Sequence, residues 1–268
     1  MNEYELPLVF FTVLCQWGIG GVIALTLYRL RPTSQMSVKQ LKYLVLGLWL
    51  AEVVGSSLSL LHLGSPFGAY RAVLGLPHSW LSREVIAFIL VNISLFLLLA
   101  TCWLRPQKSA WITALGLVTS VVGIAAILVS AQIYYQMASH PLWHTPLTQL
   151  AFLSTALLLG FATLGIYLSC CGLPVTRTVR YGLLAGCLLL LATLMGRYQI
   201  AGASAQGIML WWQLVGSMLV GGVLFAVLSL RPRLTPSMAV IAGAAMVSGE
   251  IVGRMLFYHS VMGQFPWF

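Results

Sequence analysis

The sequence predicts an all-α, polytopic integral membrane protein: eight transmembrane helices in a single domain over 1–268, with the N and C termini both outside. Three observations predict it. Apolar residues make up 60% of the chain and charged residues 7%, which excludes an ordinary soluble domain. Eight apolar runs lie at roughly 7–28, 41–63, 83–104, 110–132, 147–169, 180–198, 208–230 and 236–258, each near the ~20 residues a helix needs to cross a ~30 Å hydrocarbon core. The basic residues alternate between the gaps that separate these runs.

Gap one holds Arg29, Arg31, Lys39 and Lys42. Gap three holds Arg105 and Lys108, gap five Arg177 and Arg180, gap seven Arg231 and Arg233. The even gaps and the tails hold only Arg71, Arg83 and Arg197, and Arg254 lies within the eighth run. Basic residues near helix ends stay cytoplasmic, so the odd gaps face inward and both termini face outside. Glu3 and Glu5, ahead of the first run, agree. The net charge of +9 comes mainly from these loops, so it does not point to nucleic acid. The short gaps leave no room for a soluble domain, and a hydrophilic catalytic body belongs to a separate chain.

The elements follow in order. The first run lacks a basic leader and is too long for the core of a signal peptide, so it is expected to be retained. It carries Gly18-Ile19-Gly20-Gly21. The second carries a polar stripe, Glu52, Ser56, Ser59 and His62, on roughly one helical face. Gly64 and Pro66 stop it. Ser82 is expected to cap the third run, with Glu84 in the first turn. The first, third and seventh runs end in Leu30-Arg31-Pro32, Leu104-Arg105-Pro106 and Leu230-Arg231-Pro232. There the cation complements the helix dipole and snorkels, and the proline forbids continuation. The fifth ends differently, in Cys170-Cys171-Gly172-Leu173-Pro174. The seventh holds Gly216, Gly221 and Gly222, and the eighth Gly243, Gly249 and Gly253, small residues that let helices approach closely in lipid.

Cofactor ligands are scarce. Cys15, Cys102, Cys170, Cys171 and Cys187 form no C-x-x-C array, so neither an iron–sulfur cluster nor a metal site is expected. His62, His78, His140, His144 and His259 all fall at the outer edge, so a haem pair crossing the bilayer has no ligands and a haem-free chain is expected.

The ionisable groups inside the runs carry the functional expectation. His62 and Glu84 lie at adjacent ends of consecutive antiparallel helices. Each has a bland reading alone, an interfacial imidazole and a helix-terminal carboxylate. Together, two proton acceptors at the mouth of an apolar pocket suit a quinol, which loses two protons with two electrons. Glu52 lies near mid-membrane, where a charge costs at least ~2.5 kcal/mol. It is either protonated and buried or a proton relay. Glu250 and Arg254, four apart, form either a structural ion pair or a contact to a quinone headgroup. Trp80, Tyr70 and Trp143 either pack a ring or lie in the interfacial aromatic belt, the belt being the preferred reading.

At these residues the chain resembles the DmsC-type membrane anchor subunits of dimethyl sulfoxide reductases and related molybdenum oxidoreductases. The resemblance rests on Glu5-Leu6-Pro7-Leu8-Val9-Phe10-Phe11-Thr12-Val13, Gly47-Leu48-Trp49, and Leu61-His62-Leu63-Gly64-Ser65-Pro66 with Leu81-Ser82-Arg83-Glu84. Trp143 with Thr145-Pro146, and Gly249-Glu250-Ile251-Val252-Gly253-Arg254 with Phe257-Tyr258, complete it. Glu52 and Gly68 depart from the family pattern.

The resemblance implies eight helices with periplasmic ends and oxidation of menaquinol without haem. It also implies a periplasmic-side iron–sulfur subunit of four-cluster ferredoxin type and a molybdopterin catalytic subunit as partners, so that this protein carries no molybdopterin. His62 and Glu84 map onto the family's quinol site. The full expected contact set is His62, Ser65, Arg71, Glu84, Trp80, Glu250 and Arg254, with Glu52 as a candidate relay. The leading expectation is thus a quinol-oxidising anchor subunit. The alternatives are a proton-coupled secondary transporter using Glu52 and Glu250, and a purely structural anchor.

Overall fold

The computed structural model describes residues 5–32, 35–62, 75–201 and 207–262; the side chains at 60–62, 201 and 260–262 lie outside that description. Eight helices, each long and apolar enough to span a bilayer, account for the apolar runs. They are α1 (Leu6–Arg29), α2 (Val38–His62), α3 (Trp80–Leu104), α4 (Ser109–Tyr135), α5 (Leu147–Cys170), α6 (Arg177–Ala201), α7 (Ile208–Leu230) and α8 (Pro236–Met262). No strand occurs among the described residues.

Helix α1 is the most buried of the eight and forms the axis of the bundle. It packs chiefly on α2 and α5, then on α4 and α8. Glycine makes this possible. A side chain at Gly20 would collide with the backbone of Ala156, and one at Gly160 with the backbone of Gly20. The α1–α5 crossing is therefore backbone against backbone, as dispersion-driven packing in lipid requires. The α7–α8 crossing repeats the device with Gly216 against Ala245 and Gly249, and Gly253 against Gln213. By contrast, nothing lies within 4 Å of the Cβ position of Gly222.

The helix stops agree with the sequence. Helix α3 ends at Leu104 before Arg105, and α7 at Leu230 before Arg231. The divergent end of α5 is a Schellman motif: Leu173 N–H donates to Leu168 C=O (2.8 Å) and Gly172 N–H to Ser169 C=O (3.1 Å). Gly172 sits there at φ 71°, the left-handed conformation glycine adopts freely.

Two elements differ from expectation. The cap of α3 is Ser79, not Ser82: the Ser79 Oγ accepts from Ser82 N–H at 3.3 Å. The turn Gly75–His78 delivers the chain there, and Arg83 ties it down by donating to Leu76 C=O (3.1 Å) and Pro77 C=O (2.9 Å). Glu84 thus lies beyond the first turn of α3 and does not cap it. The second difference is in α7, which widens into a π-helical stretch over Leu214–Leu219.

Candidate functional site

The upper half of the bundle comprises the starts of α1, α3, α5 and α7 and the ends of α2, α4, α6 and α8. Among the described residues, the buried charged side chains are Glu52 (0% exposed), Glu84 (5%), Glu250 (2%) and Arg254 (4%). Glu84 lies little more than one turn into α3, Glu52 and Glu250 both lie near the middle of their helices, and Arg254 lies one turn above Glu250. The lower ends carry the basic residues of the odd gaps, such as Arg29, which donates to Ser109 Oγ at 3.1 Å, and Arg180, which reaches Ser229 C=O at 3.3 Å.

Glu84 projects from the buried face of α3 that also carries Phe88 and Val91. Ser130 of α4 stands beside its carboxyl, yet Glu84 Oε1 and Ser130 Oγ are both buried without a hydrogen bond. Tyr134 of α4 and Tyr258 of α8 are within electrostatic reach and share a 2.8 Å hydrogen bond between their hydroxyls. A buried carboxyl with an open oxygen is costly unless something else completes it.

Glu250 and Arg254 do not form the direct ion pair that their spacing allows. Thr155 of α5 donates to Glu250 Oε2 at 2.6 Å. Arg254 donates to Gln16 Oε1 of α1 at 2.8 Å and to Thr155 Oγ at 3.4 Å. Its guanidinium lies 3.9 Å from the Phe152 ring centroid, a cation–π contact that shields it further. The two charges are thus joined through a threonine, and Glu250 Oε1 is left buried and unpaired.

Glu250 also borders a cleft between α5, α6, α7 and α8, whose walls include Thr155, Thr193, Arg197, Gln213 and Arg254. Its cavity volume is about 20 Å³. Arg197, which the sequence places in a gap, belongs to α6; its guanidinium lies 4.8 Å from the Phe257 ring, and its Nε and Nη2 are buried without partners. Gln213 sits immediately before the π-helical stretch of α7.

Glu52 is enclosed between α2 and α1 beside Gly18, and neither carboxyl oxygen has a partner. One turn on, Ser56 lies 3.7 Å from Cys15 Sγ and accepts from Asn92 Nδ2 of α3 at 2.9 Å. The polar stripe of α2 therefore meets a polar position of α3.

Of the other expected residues, Trp80 opens α3 and stacks with Arg83 at 4.3 Å. Trp143 is a correction. It is 3% exposed, donates to Phe257 C=O at 2.9 Å and packs against Tyr134, Phe257 and Tyr258, so it belongs to a buried aromatic cluster and not to an interfacial belt. The His62 side chain, Ser65, Tyr70 and Arg71 lie outside the described residues. The sequence reading missed Gln16, Asn92, Tyr134, Thr155, Gln213 and Tyr258, and took Arg197 for a loop residue. An amide deep in an apolar run, as at Gln16, Asn92 and Gln213, was the available signal.

A family model describing the DMSO reductase anchor subunit (DmsC) matches residues 1–259. The chain belongs to the DmsC family. A relative from Haemophilus influenzae, named as one of the chains of its anaerobic dimethyl sulfoxide reductase, is 31% identical over 164 residues, 59% of this protein and 56% of that one. Anaerobic dimethyl sulfoxide reductase chain YnfH of Escherichia coli is 28% identical over 290 aligned positions, 97% and 96% of the two proteins. A protein named as a subunit of the sulfite dehydrogenase of Allochromatium vinosum is 27% identical over 180 residues, 62% of this protein and 55% of that one. The Haemophilus relative and its namesake in Escherichia coli are matched over little more than half of their lengths, 56% and 58%. These relatives are named as chains or subunits of enzymes, and the present protein is a multi-pass membrane protein of the DmsC family.

Proposed function

We propose that this protein is the quinol-oxidising anchor of a molybdenum-dependent respiratory complex in the bacterial cytoplasmic membrane. One observation carries the reading: in a bundle built of apolar helices, Glu84 is buried near the upper end of α3 and keeps an oxygen unpaired. A structural anchor has no need of such a group, because each buried charge in lipid costs stability. A quinol needs it, because each electron that leaves is accompanied by a proton that requires an acceptor.

In this reading menaquinol reaches the upper half from the lipid. Its two hydroxyl protons pass to His62 and Glu84, and its two electrons pass to an iron–sulfur cluster of a partner subunit, leaving menaquinone. Ser65, Arg71 and Trp80 complete the headgroup site. Haem, cluster and molybdopterin belong to none of these steps within this protein. Protons and electrons leave on the same side, so the step moves no net charge across the membrane. The relatives named reductases favour this direction of electron flow. The relative named a sulfite dehydrogenase favours the reverse, with quinone reduced at the same site.

The test uses the assembled complex. His62→Leu and Glu84→Gln are each expected to abolish turnover driven by a menaquinol analogue while turnover driven by an artificial donor to the soluble subunits persists. Normal quinol oxidation by both variants would remove the assignment.

A further inference from the structure

The acidic residues of the chain are Glu3, Glu5, Glu52, Glu84 and Glu250, so no carboxylate lies in the gaps at the lower end of the bundle. The cations of those gaps find other partners, and they do so unequally. Arg180 reaches the last carbonyls of α7, Leu228 C=O at 3.4 Å and Ser229 C=O at 3.3 Å, where a helix terminus carries partial negative charge. The lower ends of α1, α2, α3 and α4 offer no such relief. Arg29, half-buried at the end of α1, donates through Nη2 to the Ser109 hydroxyl at 3.1 Å and the Ser109 carbonyl at 3.5 Å. Ser109 opens α4, so the guanidinium lies at the positive end of that helix. Lys42 of α2 places its ammonium 5.3 Å from the Trp103 ring centroid of α3. Both cations are within electrostatic reach of the Cys102 thiol, so they converge at the foot of α3. Arg105 and Lys108 occupy the turn from α3 into α4 and add positive charge there.

We propose that the lower ends of α1–α4 bind the phosphodiester of an anionic phospholipid, with Arg29 and Lys42 on the phosphate and Trp103 beside the glycerol and upper acyl chain. Cations that converge without a carboxylate repel one another, and a bound anion relieves that repulsion. A phosphate suits a guanidinium and an ammonium together: the first offers a planar fork of donors, the second a point charge. Basic pockets between membrane helices hold lipid headgroups on this principle. The aromatic side chains fix the source of the phosphate. Trp103 and Tyr43 are exposed, stand edge to face at 6.5 Å, and mark the height at which rings meet headgroups and acyl chains. The stem of Lys42 lies along this apolar surface and delivers only its charge to the headgroup layer. An anionic headgroup is preferred to a zwitterionic one, whose own amine would already neutralise the phosphate. The site lies at the opposite end of the bundle from Glu84 and does not depend on the proposed quinol chemistry.

The test is native mass spectrometry of the full chain, released from detergent that contains phosphatidylglycerol and phosphatidylethanolamine in equal amounts. The wild-type protein is expected to retain phosphatidylglycerol in preference, and excess inorganic phosphate is expected to leave it bound. Arg29→Gln with Lys42→Gln should weaken that retention by about tenfold or more, the effect of two cations at a lipid surface. Arg231→Gln with Arg233→Gln removes as much charge from the turn between α7 and α8 and should leave retention unchanged. Arg29→Lys with Lys42→Arg keeps both charges and should retain most of the binding. A second readout is the midpoint of thermal unfolding, which phosphatidylglycerol should raise in the wild type and not in Arg29→Gln with Lys42→Gln. Equal retention of the two lipids by the wild type overturns the proposal, whatever becomes of the variants. So does an equal loss in the α7–α8 control, which would reduce the site to a general attraction of basic loops for anionic lipid. Displacement by inorganic phosphate would make it a soluble-anion site and overturns the assignment to lipid.

Discussion

At Thr155 one hydroxyl takes the place of the direct ion pair that the spacing of Glu250 and Arg254 allows. It donates to Glu250 and accepts from Arg254, holding two opposite charges near each other inside the membrane. Thr155→Val keeps the shape and removes both bonds. It should destabilise the protein by roughly 1–3 kcal/mol, the cost of leaving buried polar atoms unpaired, read as a lower midpoint of thermal unfolding in detergent. The i,i+4 spacing of Glu250 and Arg254 was legible in the sequence, and so was their burial. The bridge was not, because Gln16 and Thr155 arrive from distant parts of the chain and compete for the same donors. The same limit explains Trp143: its surroundings, Tyr134, Phe257 and Tyr258, assemble only when α4 and α8 meet.

Among the elements, the glycine crossings determine how closely the helices approach. Gly160→Leu would force α5 off α1, because the new side chain meets the Gly20 backbone, which cannot yield as a flexible side chain would. A loss at or above the ~1–3 kcal/mol typical of overpacking is expected, measured as reduced yield of folded protein and a lowered unfolding midpoint. Gly172→Ala, with open space around it but φ at 71°, should cost only about 1–2 kcal/mol. The two substitutions thus separate steric from conformational roles of glycine. At this scale the sequence was a good guide to the helices and their arginine–proline stops. It placed several starts late: α3 begins at Trp80 and α6 at Arg177 because caps and polar first turns extend helices past their apolar stretch. The π-helical stretch in α7 left no signal in the sequence; it includes Gly216, which lies against Ala245 and Gly249 of α8.

For the whole molecule, the decisive pattern is segregation. Among the described residues, the buried charged groups lie between the middle of the bundle and its upper end, and the basic residues of the odd gaps sit at the other end. A reporter fused after Phe268 should be active only on the periplasmic side; activity only in the cytoplasm would place Glu84 and Glu250 at the opposite face and reverse the proton path. The fold class could be read almost entirely from hydropathy and charge, because a bilayer restricts a chain to helices or closed barrels. The candidate site could be read only in part. The carboxylates and Arg254 announced themselves by being costly in lipid, whereas the amides, hydroxyls and rings that surround them are cheap enough in any span to pass unnoticed.

The hydrogen bond from Arg254 to Gln16 joins positions 238 residues apart. During synthesis, the first helix therefore enters the bilayer long before the guanidinium that completes its amide has left the ribosome. Until the last helix is threaded in, the axis of the bundle carries an exposed polar defect that a membrane quality-control protease could recognise. A nascent polypeptide stopped before α8 should accordingly be cleared rapidly in pulse–chase labelling, and the finished protein spared.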